Sequence, residues 1–107
     1  MPGVRLALST APDRRTAERI ARLLVEERLA ACVNLVPGVN SVYRWKGRIE
    51  QDEEILLIMK TTAAGTPALR DRLLAVHPYD TPEFLTFDVA AGAAPYLAWV
   101  VGSIGPR

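Results

Sequence analysis

The stretch that decides the fold is Ser41-Val42-Tyr43-Arg44-Trp45-Lys46-Gly47-Arg48-Ile49-Glu50-Gln51-Asp52-Glu53-Glu54-Ile55-Leu56-Leu57-Ile58-Met59-Lys60. Ser41 to Trp45 carries the β-branched and aromatic content of a strand, and Lys46-Gly47 supplies a tight turn whose glycine takes a positive φ without penalty. Arg48 to Lys60 then returns as a second extended run. Glu50-Gln51-Asp52-Glu53-Glu54 reads as its solvated start and Ile55-Leu56-Leu57-Ile58-Met59 as its buried half. Upstream, Pro37-Gly38 interrupts the first arm, which begins near Cys32. Proline cannot donate to a sheet ladder, so this pair predicts a bulge or bend and an edge position. The hairpin arms are each roughly thirteen residues, more than twice the common strand length of ~5–6.

Working outward, Val4 to Leu8 reads as a first strand that Ser9-Thr10-Ala11-Pro12 ends. Asp13 stands at an N-cap or first-turn position. Ala17, Ile20, Ala21, Leu24 and Val25 recur at helical spacing, which predicts a helix from Asp13 to Leu29. Thr66-Pro67 opens a second helix, with Thr66 as N-cap, Leu69, Leu73, Leu74 and Val76 on its apolar face and His77-Pro78 at its end. Phe84 to Val89 alternates as a last strand, Gly92 breaks the chain, and Pro95 starts a short terminal helix. The order is β-α-β-β-α-β plus that helix. It predicts an α+β, ferredoxin-like antiparallel sheet with both main helices on one face and the second and fourth strands at its edges. Two helices cannot cover so long a hairpin. Val42, Tyr43 and Trp45 on its outer part would stay exposed in a monomer, so self-association through the hairpin, closed into a ring, is the physical expectation.

The chain has 107 residues, 50% hydrophobic and 23% charged, which suits one domain over residues 1–107. A net charge of +1 excludes the strongly basic field of a nucleic-acid binder. No apolar run approaches the ~20 residues that span a bilayer, and the start Met1-Pro2-Gly3-Val4-Arg5 lacks the order of a signal peptide. A cytoplasmic location without membrane contact is therefore expected. The single cysteine, Cys32, agrees, since one thiol closes no intrachain disulfide.

Candidate chemistry centres on His77-Pro78-Tyr79-Asp80-Thr81-Pro82-Glu83, which holds the only histidine beside two φ-restricting prolines. Two readings of His77 stand open. One is a ligand for a divalent metal, Cu2+ or Zn2+, aided by Glu83, Asp80 or a carboxylate of Asp52 to Glu54 from another chain. The other is a helix-terminating residue that bonds the last carbonyls and packs beside Tyr79. Cys32 has no adjacent cation in sequence and reads as a small buried hydrophobe. Lys60 ends the apolar run, where it either meets an anionic effector or reaches solvent, and Tyr43 and Trp45 read as interface anchors. Gly-rich phosphate loops, CxxC pairs and GxSxG elbows are all missing, and His77 has no nucleophile partner, so no catalytic activity is expected.

The blocks Glu27-Arg28-Leu29-Ala30-Ala31-Cys32-Val33-Asn34, Tyr43-Arg44-Trp45-Lys46-Gly47, Lys60-Thr61 and His77 to Glu83 together resemble the CutA divalent-cation tolerance family, collinearly from Ser9 to about Ile104. The resemblance implies a ferredoxin-like protomer in a cytoplasmic homotrimer linked to tolerance of copper and other divalent metals. It also implies a likeness in architecture to PII signalling proteins, which bind small effectors between subunits. The alternative function is accordingly a PII-like module that takes a small anionic effector or a nucleotide. Family members with a described copper site carry a cysteine where this chain has Ser9 and a second histidine where it has Val76. His77 is the one position of that set retained.

Overall fold

The computed structural model describes residues 3–106; Met1, Pro2 and Arg107, and with them the first residues of the sequence start read above, lie outside the described residues. The elements follow the predicted order: β1 Val4–Ala11, α1 Arg14–Glu26, β2 Cys32–Trp45, β3 Arg48–Thr62, α2 Thr66–Val76, β4 Leu85–Asp88 and α3 Ala94–Ser103. The four strands form one antiparallel sheet in the order β2-β3-β1-β4, which is the ferredoxin-like arrangement with β2 and β4 at the edges.

The hairpin is built as its residues dictate. Lys46 and Gly47 both take positive φ, 50° and 77°, so the turn twists with the strands it joins. The β2–β3 register shifts between Val36 and Val39, where Pro37 lacks a donor and Gly38 takes φ 75°, and β2 continues beyond the irregularity as one strand.

Helix α1 starts as expected, with Asp13 as N-cap accepting from the Thr16 amide at 2.8 Å. That bond to the Thr16 backbone holds the Asp13 carboxyl below its ordinary range. The helix stops at Glu26, short of the predicted Leu29. Arg28 adopts φ 60°, the Arg28 amide bonds the Val25 carbonyl at 3.0 Å and the Leu29 amide bonds the Leu24 carbonyl at 2.9 Å, which together close a Schellman motif. Arginine occupies this left-handed site because its side chain has work there: Nε donates to the Gly105 carbonyl at 2.5 Å and Nη2 to the Gly102 carbonyl at 3.1 Å, which caps α3. The N-cap of α2 is Gly65, not Thr66, because the Thr66 hydroxyl donates back to the Thr62 carbonyl at 2.8 Å and Pro67 follows inside the first turn.

Odd-numbered β1 residues Ala7, Ser9 and Ala11 face the two main helices and pack, with Leu57 and Met59 of β3, against Ile20, Leu24, Leu69 and Leu73. The small residues of β1 let both helices approach the sheet. The opposite face is different. α3 covers only its Val4 end, through Val100 and Ala31. From there Leu6, Leu8, Leu56 and Ile58 continue outward, paired at the edges with Phe87, Leu85 and Val36, which are 49%, 52% and 39% exposed. This face is an apolar stripe without a helix over it.

Candidate functional site

Strand β1 pairs with β3 only as far as Ala11 opposite Ile55, and from Glu54 outward β3 has β2 as its sole strand neighbour among the described residues. The corner left where β1 departs is filled by the loop after α2. Pro78 biases the residue before it out of the helical region, and His77 accordingly sits at φ −78°, ψ 138° as the C-cap. That turn carries the imidazole inward.

His77 is 8% exposed, and both of its ring nitrogens are engaged. Nε2 lies 2.7 Å from the Thr10 carbonyl, and Nδ1 is 3.1 Å from the Tyr79 amide. An amide can only donate and a carbonyl only accept, so the ring accepts at Nδ1 and donates from Nε2. The histidine thereby ties the end of β1 to the loop after α2, with the Tyr79 ring 4.7 Å away between centroids. The packing beside Tyr79 follows the sequence reading. The carbonyl it bonds belongs to β1, not to the end of its own helix.

Tyr79 continues the chain of contacts. Its hydroxyl donates to Glu54 Oε2 at 2.7 Å, and burial together with the neighbouring Glu54 charge pushes the phenol well above its ordinary range. Glu54 is only 8% exposed, which corrects the reading of residues 50–54 as a uniformly solvated start: Asp52 and Glu53 are exposed, whereas Glu54 is enclosed by the loop that carries Tyr79. Further out, the Tyr43 hydroxyl donates to Asp52, and that bond, with burial and the charges of Asp52, Glu50 and Glu54, raises the Tyr43 phenol to about 12. Between the ribbon and the loop lies a cleft of about 710 Å³, walled by Tyr43, Trp45, Glu54, Tyr79, Asp80 and Glu83, with Thr10, Thr81 and the Asn40–Val42 segment completing it. No lysine or arginine is among its lining residues.

Other candidates fall elsewhere. Lys60 donates to Asn34 Oδ1 and lies 3.7 Å from Cys32 Sγ, six residues and about 20 Å along β3 from Glu54. The expectation that Cys32 has no cation beside it fails because the β2–β3 register sets Cys32 directly opposite Lys60, a juxtaposition that no linear spacing reveals. Cys32 is half-buried on an edge strand and not enclosed in the core. Tyr43 and Trp45, each 40% exposed, do project near the hairpin tip.

These residues do not assemble a metal centre within one chain. Among the described residues no group of three His, Cys, Asp or Glu side chains is placed to hold an ion, and the His77 ring has no free lone pair. Ser9 is fully buried, and its hydroxyl has no partner among the described residues.

The sequence model of the CutA1 divalent ion tolerance protein family matches residues 5–103. The chain belongs to the CutA1 family. It is similar to the divalent-cation tolerance protein CutA of Thermus thermophilus, with 47% identity over 100 residues covering 94% of this chain and 97% of that one. The solved structure of the Thermus protein superposes with a TM-score of 0.93, at 46% identity, over 95% of this chain and 99% of that chain. Human Protein CutA is 48% identical over 101 residues, but the chain spans 56% of that longer protein. A CutA structure from Archaeoglobus fulgidus, at 35% identity and a TM-score of 0.92 over 95% of this chain and 99% of that one, is described as periplasmic, so CutA1 membership alone assigns no compartment. None of the helices in the described residues is long and apolar enough to cross a membrane.

Proposed function

We propose that this chain is a non-catalytic binding module of the CutA type, a cytoplasmic homotrimer that acts in the cell's tolerance of divalent metal ions. The observation that carries the reading is the uncovered sheet face. Among the described residues Leu6, Leu8, Leu56 and Ile58 lie under no helix, Val36, Leu85 and Phe87 extend the stripe to both edges, and the ribbon of Val39–Trp45 with Arg48–Glu54 has no third strand. A two-stranded ribbon is marginal in water, and an apolar sheet face needs a partner surface. Copies of the same chain supply both, and a closed ring leaves no unpaired end.

In this reading His77 acts first as a positioning residue that fixes the Tyr79 loop. A direct role for His77 on Cu2+ or Zn2+ requires it to release either the Thr10 carbonyl or the Tyr79 amide and to find further ligands across a subunit boundary. The small anionic effector or nucleotide of the PII analogy meets an electrostatic objection, since the cleft wall carries carboxylates and no basic side chain. Chromatography with light scattering tests the assembly, and a monomer at micromolar concentration refutes it. Titration with copper and zinc of the native chain and of His77→Ala tests the metal role. Binding that survives the substitution unchanged removes His77 from it.

A further inference from the structure

The last eighteen described residues, Val89 to Pro106, carry no charged side chain. Helix α3 lies within them and is apolar on every side. Inward, Val100 is fully buried beside the half-buried Leu97, Val101 and Ile104. Outward stand Tyr96 and Trp99, each about half exposed, with their ring centroids 5.5 Å apart. The Ser103 hydroxyl offers little to water, because it donates to the Trp99 carbonyl at 2.7 Å. A surface helix turns a polar face to solvent, whereas a helix apolar all round is covered. Within this protomer α3 is covered on one side only.

Its missing cover has to be apolar. A lipid surface fits poorly: at ten residues α3 is ~15 Å long, too short to cross a bilayer, and it lacks the charged face of a helix that lies in a membrane interface. The hairpin carries the matching surface. By the β2–β3 register Tyr43 and Trp45 share one face of the ribbon with Glu50 and Arg48, and Val42 and Ile49 share the other with Gln51 and Arg44. Val42 and Ile49, 66% and 63% exposed, are the most exposed large apolar side chains among the described residues. A neighbour that covers Tyr43 and Trp45 leaves these two in water, so the ribbon needs a second apolar surface.

The ribbon cannot reach the α3 of its own chain. From Gln51 to Thr62 the strand β3 advances roughly 35 Å, and Thr62 pairs with Val4, the residue that α3 covers. Another copy can reach it. Helix α3 borders the open sheet face at its Val4 end, so a copy laid along the stripe of Leu6, Leu8, Leu56 and Ile58 meets α3 there. Ribbon and helix are different surfaces, so the contact is heterologous: each copy gives a ribbon and receives one, which is the pattern that closes a ring. We propose that α3 is the dock for the hairpin of a second copy, with Tyr96 and Trp99 of one protomer packed against Val42 and Ile49 of the next. This inference rests on the self-association proposed above and adds which surfaces meet.

Cross-linking of the full chain tests it. In a Cys32→Ser background, Gln51→Cys sits on the Val42 and Ile49 face and Ser103→Cys one turn beyond Trp99, and both changes keep the four anchors. Mixed chains, each with one of these cysteines, should be joined by a short bismaleimide into a dimer of one chain of each kind, and the chain with both should give covalent multimers. The distance along β3 forbids a link within one protomer. Separately, Ile49→Asp and Trp99→Ala should each raise the concentration at which the assembly dissociates about tenfold or more, and the two together should cost less than the product of the single effects. Both side chains are exposed in the protomer, so neither change removes a core residue. An intact oligomer without the mixed link, links only between like cysteines, or fully independent effects of the two substitutions overturn the docking and leave self-association standing. A native chain that is monomeric by light scattering overturns both.

Discussion

Replacing Ser9 by alanine should stabilise the protein. Ser9 is fully buried in the middle of β1, between Ala7 and Ala11 on the helix-facing side and opposite Leu57, and its hydroxyl has no partner among the described residues. A buried hydroxyl left unpaired costs about 1–3 kcal/mol, and exchanging it for hydrogen loses only the dispersion of one atom, a few tenths of a kcal/mol. The net expectation is a gain of about 1 kcal/mol, equivalent to roughly 4–8 °C in a domain of about 100 residues. Urea unfolding at matched protein concentration reads this directly, provided the slope is unchanged and the midpoint alone moves, since linked assembly makes apparent stability concentration-dependent. A lowered midpoint refutes the reasoning, because it means that the hydroxyl is satisfied in the folded protein.

Three further outcomes follow from the geometry. Tyr79→Phe removes the donor that the described residues offer to the buried Glu54 carboxylate and should cost about 1–3 kcal/mol in urea unfolding, and its combination with Glu54→Gln should cost less than the sum of the two single changes. Arg28→Gly relieves a left-handed residue but gives up the guanidinium bonds to α3, whereas Arg28→Ala gives up the bonds and keeps the strain, so the glycine variant should be about 1 kcal/mol the more stable in the same assay. The Arg72 guanidinium, bidentate to Glu27 at 2.9 Å, holds the Glu27 carboxyl below its ordinary value of 4.5. A depressed carboxyl contributes stability above its unfolded value and loses it as pH falls through the folded one. The difference between native protein and Arg72→Ala in urea midpoint should therefore be present at neutral pH and close in acid, and a gap that widens in acid contradicts this assignment.

What the amino-acid order discloses of this molecule is what depends on period and on backbone restriction. The hairpin turn is legible because Lys46-Gly47 has few other uses, and the edge position of β2 because Pro37 lacks a donor. The end of α1 is not legible, since the left-handed residue is an arginine whose reason for being there is the far end of the chain, at Gly102 and Gly105. Cys32 and Lys60 meet through strand register alone. Glu54 looks like the last of a solvated acidic run, and what distinguishes it from Asp52 and Glu53 is a tyrosine that reaches it from beyond α2. The one local hint is that Glu54 directly precedes the apolar run of β3. His77 was readable as a helix end, and its partner on β1 was not.

The unsupported ribbon and the acidic cleft share one cause. β1 reaches Ala11 and stops against Ile55, because Pro12 ends the ladder and Asp13 begins a helix, while β3 and β2 run on to Arg48 and Trp45. Past that point the hairpin loses its neighbour on one side, and the corner must be closed by something else. The loop after α2 closes it from within the chain, pinned to the last residues of β1 by His77 and to β3 by Tyr79. That closure encloses Glu54 without neutralising it. The strand that the ribbon lacks at this corner is the one that another copy of the chain would supply.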